Sequence, residues 1–199
     1  MTRSDTKPRK RARAAPAVVL AAGAFGLSAC QDDRVDAAVF PTPERCVAEA
    51  QEGEVWFTEA DCTEAAEAAR AEHERSAPRY DDEALCEEQH GGECYAEERP
   101  GGGSVFLPLI AGYMLGNLMS GRGAQPLYRT GDGRFSNAAG TAAFGSNSGR
   151  AKVSPAGFRA APYTQRAAPL TRATVANRGG FGAARTGGGT AGRVGGFGT

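Results

Sequence analysis

Cys46, Cys62, Cys86 and Cys94 are the residues whose type and spacing point first to chemistry. Four thiols in an exported chain form disulfides or hold a metal. Export is indicated by the N-terminal segment read below. Four cysteines allow three pairings. A weak internal repeat favours one of them: Glu44-Arg45-Cys46, then Gly53, then Cys62 resembles Ala84-Leu85-Cys86, then Gly91, then Cys94. Each unit then closes its own loop, Cys46–Cys62 and Cys86–Cys94. The metal alternative places Cys86, His90 and Cys94 at i, i+4 and i+8 on one helical face, with His73 as a fourth ligand. Gly91-Gly92 breaks that helix before Cys94, so disulfides are the expectation and no metal or cofactor is assigned.

Other reactive types are present without partners in the pattern. Asp81-Asp82-Glu83 and Glu87-Glu88 are paired carboxylates, but nothing in the surrounding sequence supplies the apolar pocket that shifts a carboxyl toward general acid or base work. His73 stands among Glu72, Glu74 and Arg75, which reads as an exposed helix position. The C-terminal glycine strings follow no strand and lack the Lys-Ser/Thr of a phosphate loop. No catalytic residue is assigned, and a non-enzymatic protein is expected. Arg178-Gly179-Gly180-Phe181 resembles segments that bind single-stranded nucleic acid. Export removes that substrate, and anionic envelope polymers are the accessible polyanion.

Cys30 is a fifth thiol of a different kind. Arg3, Lys7, Arg9, Lys10, Arg11 and Arg13 precede an apolar run from Ala14, and Leu27-Ser28-Ala29-Cys30 closes it. This is the order of a secretory signal. The terminal cysteine resembles the acylation site of bacterial lipoproteins. Residues 1–29 are expected to be a signal peptide and Cys30 a lipidated, palmitate-bearing anchor. The run is shorter than the about 20 apolar residues that span a bilayer. Gln31, rather than Asp, follows Cys30. This favours the periplasmic face of the outer membrane over the inner membrane.

These features need elements to hold them. The chain has 23 basic and 23 acidic side chains, yet the zero net charge hides three blocks. Residues 1–30 are basic, residues 31–100 carry a net −15, and residues 121–199 a net +10 with Asp132 as their one acid. Residues 30–41 read as a polar tether. Residues 42–98 read as three short helices. Thr42 with Pro43 starts the first and Gly53 ends it; Thr58 with Asp61 caps the second, which Pro78 stops; Asp81 or Asp82 caps the third, which Gly91 ends. Large apolar residues are few there, so the disulfides are expected to be structural. Residues 104–120 carry no charge, and Gly112, Gly116 and Ser120 recur every four positions. That spacing predicts an apolar helix able to self-associate or contact a membrane through its small-residue face. Residues 121–199 hold 18 glycines without helical or strand periodicity and read as a disordered tail. The fold expected is mostly α: a small disulfide-stapled helical head, one apolar helix, and a long disordered Gly/Arg-rich tail.

A resemblance runs across these parts. The lipidation motif, Glu74-Arg75-Ser76-Ala77-Pro78-Arg79-Tyr80, Cys86, Gly92-Glu93-Cys94, the run Leu107-Pro108-Leu109-Ile110-Ala111-Gly112-Tyr113-Met114-Leu115-Gly116, and Arg178-Gly179-Gly180-Phe181-Gly182 occur in this order. Together they resemble the YgiB/YjfM-type lipoproteins, a family without an assigned activity. The resemblance implies an envelope interaction or structural protein. Such proteins often accompany one similar to the ligase half of glutathionylspermidine synthase, so the alternative implied is an accessory factor of that enzyme pathway.

Overall fold

The structure, a computed structural model, describes residues 33–179. The segment expected to be a signal peptide, Cys30 and residues 180–199 lie outside the described residues. Helix α1 runs Pro43–Glu52, α2 Glu59–Ser76, α3 Glu83–His90 and α4 Arg172–Arg178. Strands are β1 Val35–Phe40, β2 Cys94–Glu98, β3 Ser104–Pro108, β4 Gly112–Leu118, β5 Gly121–Arg129, β6 Phe135–Asn137, β7 Ala143–Phe144 and β8 Gly149–Val153.

The caps form as their chemistry dictates. Thr42 Oγ1 accepts from the Arg45 N–H with Pro43 in the first turn of α1. Thr58 and Asp61 make a reciprocal capping box on α2. Asp82 accepts from the Leu85 N–H, and Gly91 closes α3 in the left-handed region.

The body is a curled antiparallel sheet in the order β7-β6-β5-β4-β1-β8. Period-2 alternation divides its side chains between two faces. Ala38, Phe40, Tyr113 and Leu115 face α1 and α2, where they meet Cys46, Phe57, Cys62, Ala65, Ala66 and Ala69. The small stripe of α2 lets the helix lie close to the sheet. Ala37, Val39, Met114, Leu127 and Val153 face the other way, under Ala142 and Phe158. A separate hairpin, β2–β3, is joined to the residues after α2 by reciprocal backbone bonds between Tyr80 and Phe106.

The chain is therefore not mostly α. Residues 104–120 form β3 and β4 rather than a Gly-zipped helix. Pro108 explains part of this, because inside a helix it removes a backbone donor and clashes with the preceding turn. Gly112 and Gly116 lie in β4 and form no helical face. A Cβ at Gly112 would lie 2.7 Å from the Phe40 carbonyl oxygen, and one at Gly116 would lie 2.2 Å from Phe158 Cζ. Both small surfaces are covered within the chain, and Ser120 sits in the exposed β4–β5 turn. Nor are residues 121–179 a disordered tail: they supply β5 to β8, a 3-10 turn at Pro155–Phe158 and α4. Glycines there are not all spacers: Gly123 and Gly157 are surfaces against which Leu118, Phe158 and Val153 pack. Residues 35–40 of the expected tether form β1, which pairs with β4 on one side and β8 on the other.

Candidate functional site

Two bridges tie the helices down. Cys46 is bonded to Cys62, joining α1 to α2, and Cys86 to Cys94, joining α3 to β2. The sulfurs of Cys86 and Cys94 are thus occupied by one another rather than offered to a metal. Among the described residues, no group of three or more His, Cys, Asp or Glu is placed to hold one. Asp81, Asp82, Glu83, Glu87 and Glu88 are exposed, and Glu88 accepts from Arg172 at 2.8 Å.

The histidines are the departure from the sequence reading. His73 is not exposed: it is 8 % accessible, and His90 is 2 %. His73 continues the stripe of α2 that runs through Cys62, Ala65, Ala66 and Ala69. Its Nε2 lies 2.8 Å from Tyr95 Oη and its Nδ1 2.9 Å from Tyr128 Oη. One ring nitrogen therefore donates to a hydroxyl while the other accepts. His90, at the end of α3, donates from Nδ1 to the Arg129 carbonyl at 2.8 Å and accepts at Nε2 from the Tyr80 hydroxyl at 2.9 Å. The rings of His90 and Tyr128 meet edge to face at 6.1 Å. Five side chains thus form a continuous file, Tyr95-His73-Tyr128-His90-Tyr80, linking α2, β2, β5 and α3. Burial pushes His73 down to about 4, the Arg79 charge adds to that, and the Glu97 charge opposes it. Burial pushes His90 down to about 4 against the pull of the Arg129 carbonyl. Both rings are neutral at pH 7. Burial raises the Tyr80 and Tyr128 phenols well above their ordinary value, so neither is an anion.

Arg79 is a second hub that the sequence reading did not single out. Its side chain is 3 % exposed. Nε and Nη2 donate to the two oxygens of Glu97, Nη2 also to the Glu74 carbonyl, and Nη1 to the Ala77 carbonyl and Thr164 Oγ1. These bonds use all five guanidinium donors. Glu72 plays a similar part, accepting from Ser76 Oγ, from the Ala161 N–H and from Arg75. The residues around 161–170 are held by these two groups. Between them and α2 lies a cleft of about 290 Å³ lined by Ser76, Pro78, Ala161, Tyr163, Leu170 and Arg178 among others. The network positions chain segments, and each histidine has both ring nitrogens bonded to other residues of the chain. Among the described residues, no helix is long and apolar enough to cross a membrane.

Fold and site together define a disulfide-bridged protein with a curled antiparallel sheet, helices against one face, and a buried histidine–tyrosine file. The family described as protein of unknown function (DUF1190) matches residues 34–192, and the chain belongs to it. It is similar to the UPF0441 protein of Sodalis glossinidius, 31% identical over 186 residues that cover 85% of this chain and 81% of that one. It is also similar to the UPF0441 protein of Erwinia tasmaniensis, 31% identical over 188 residues covering 84% and 79%. A UPF0441 protein of Klebsiella pneumoniae is 29% identical over the same shares. No solved structure matches the chain.

Proposed function

We propose that this chain is a lipid-anchored protein of the bacterial cell envelope that binds rather than catalyses. The observation that carries the reading is Leu27-Ser28-Ala29-Cys30 behind a cluster of basic residues. Acylation with two or more chains would anchor the body stably, whereas a single chain would not. The bridges Cys46–Cys62 and Cys86–Cys94 support an oxidising compartment. The commitment of both histidines to internal partners supports a role without acid–base catalysis. Gln31 favours the periplasmic face of the outer membrane. The net +10 of residues 121–199 favours contact with anionic envelope polymers, since Arg129, Arg134, Arg159 and Arg166 are exposed.

Metabolic labelling with a fatty-acid analogue tests the reading. The wild-type chain should take up label and fractionate with membranes. Cys30→Ala should take up none and leave either uncleaved precursor or soluble product. Normal maturation and membrane fractionation of Cys30→Ala would overturn it.

A further inference from the structure

We propose that the groove between Trp56 and the β1–β8 edge of the sheet binds a pyranose segment of a glycan chain. The groove has a volume of about 510 Å³ and is lined by Asp36, Ala37, Trp56, Arg150, Ala151 and Lys152. Three features of those residues suit a sugar ring.

The first is a fixed aromatic wall. Trp56 stands in the connection between α1 and α2 and is half-buried. The Arg122 guanidinium lies 5.0 Å from its ring centroid, and the Phe57 ring meets it edge to face at 5.2 Å. Arg122 is itself held by Asp61 Oδ1, Asn117 Oδ1 and the Trp56 carbonyl. The indole is therefore positioned before any ligand arrives, which lowers the ordering cost of binding. The C–H face of a pyranose is the part of a sugar that packs on such a ring.

The second is a mixture of donors and acceptors. Pyranose hydroxyls both donate and accept. Lys152 Nζ donates to Asp36 Oδ1 at 2.8 Å across the β1–β8 pair, and Arg150 donates to Glu49 Oε1 at 2.8 Å. All four side chains are at least a third exposed or close to it, at 53% and 32% for Arg150 and Glu49, and 56% and 55% for Lys152 and Asp36. Exposed pairs of this kind hold together weakly, so hydroxyls can insert between the partners. The charges offset one another, which suits a polyol better than a polyanion.

The third is openness along an edge. β8 is the terminal strand of its sheet, so among the described residues one side of its backbone has no strand partner. The groove lies over the β1–β8 pair at the end of the sheet and is open to solvent, a shape that admits a stretch of polymer. Arg129, Arg134, Arg159 and Arg166, proposed above to meet anionic polymers, do not line the groove, and the groove works the same way whether or not Cys30 carries lipid.

Trp56 is the chain's only tryptophan, so its emission reports on the groove directly. The full chain in detergent is titrated with the β-1,4-linked tetramer of N-acetylglucosamine, an uncharged pyranose chain. The expected result is a saturable emission change with a midpoint on the order of 1 mM. Lys152→Ala and Arg150→Ala, both at exposed positions, should each weaken it about tenfold with an unchanged circular dichroism spectrum. Saturation-transfer NMR on the sugar supplies a readout independent of the indole, and its signal should be lost in Trp56→Ala but kept in part by Trp56→Phe. Emission that stays flat to about 20 mM sugar, or a response untouched by both cation variants, would overturn the proposal. So would an equal response to polyglutamate, which would make the groove a simple charge site.

Discussion

Gly116 lies directly beneath the ring of Phe158. A Cβ built on Gly116 falls 2.2 Å from Cζ, and one built on Gly123, its partner across β4–β5, falls 2.9 Å from Cδ1 of the same ring. The 3-10 turn at Pro155–Phe158 thus packs an aromatic plate onto two adjacent glycines. This contact covers the face of the sheet opposite α1 and α2.

Gly116→Ala should therefore destabilise the fold by about 1–3 kcal/mol, the usual cost of overpacking. The strand geometry itself tolerates alanine, so the loss should come from the ring. Combining Gly116→Ala with Phe158→Ala should cost less than the sum of the two single changes, because the clash vanishes with the ring. Urea unfolding of the four proteins measures this, and strict additivity would show that the ring is not what excludes the methyl group.

The file of histidines and tyrosines gives stability a pH dependence of definite sign. Both rings are held at about 4 in the folded chain, below the 6.5 of a free histidine. The unfolded chain therefore binds protons first, and stability is fully present above 6.5 and lost as pH falls towards 4. Each ring contributes a slope of up to about 1.4 kcal/mol per pH unit within that window. Arg79 works in the same direction on His73, and Glu97 works against it. His90→Gln should be less stable at pH 7 yet flatter between pH 6.5 and 4.5. The comparison is made as the difference from wild type, which removes the common carboxylate titration. Parallel curves for the two proteins would mean that His90 is not neutral in the native core.

Much of the helical region was legible. Thr42, Thr58, Asp61, Asp82 and Gly91 act as the caps their types suggest, because a cap is a local contract between neighbours in sequence. The stripe of α2 could have been followed one turn further to His73, which would have marked it as buried. The sheet was not legible from composition. β1 carries Asp36, and β5 carries Gly121, Gly123 and Arg122, so they read as tether and tail. What makes β1 a strand is pairing with β4, a contact far away in sequence, and β5 is one as the second arm of a tight hairpin with β4. Two local signals were nevertheless present. Pro108 argued against a helix over residues 104–120, and Asp132-Gly133 between Tyr128 and Phe135 is the turn of a hairpin. The glycines at 112 and 116 have the spacing of a helix contact face, but the same residues serve a strand that another backbone or ring approaches closely.

Arg79 should resist conservative replacement. All five of its donors are used by Glu97, Thr164 and the carbonyls of Glu74 and Ala77. Lysine has three donors on a flexible stem and cannot reproduce the fork. Arg79→Lys should cost about 2–4 kcal/mol, since it leaves buried acceptors without partners. Residues 161–170 should also become accessible to proteolysis, because Thr164 and Leu170 both bond to the Arg79 region. Limited digestion with mass mapping reads this out, and a cleavage pattern like the wild type's would sink the idea that Arg79 holds that segment.

The two bridges should differ in worth. Cys46–Cys62 closes a separation of 16 residues and Cys86–Cys94 one of 8. On chain entropy alone the longer loop gives about 3 kcal/mol, and halving the length removes about 0.6 kcal/mol. Packing reverses this order. The longer bridge joins two helices that already share a face with Phe40, Tyr113 and Leu115, so losing it leaves that core in place. The shorter bridge fastens α3 to β2, and its neighbours Tyr80, Leu85 and Val175 form a small cluster with few other large residues. The same helix carries His90, whose bonds to Tyr80 and the Arg129 carbonyl need α3 to stay seated. Cys86→Ala with Cys94→Ala should therefore lower the thermal midpoint more than Cys46→Ala with Cys62→Ala, and should also make the His90 ring exchange protons with solvent. Differential scanning calorimetry and histidine NMR on the two double variants decide the point. A larger loss for the Cys46–Cys62 pair would mean that loop entropy, not the seating of α3, sets the contribution of each bridge.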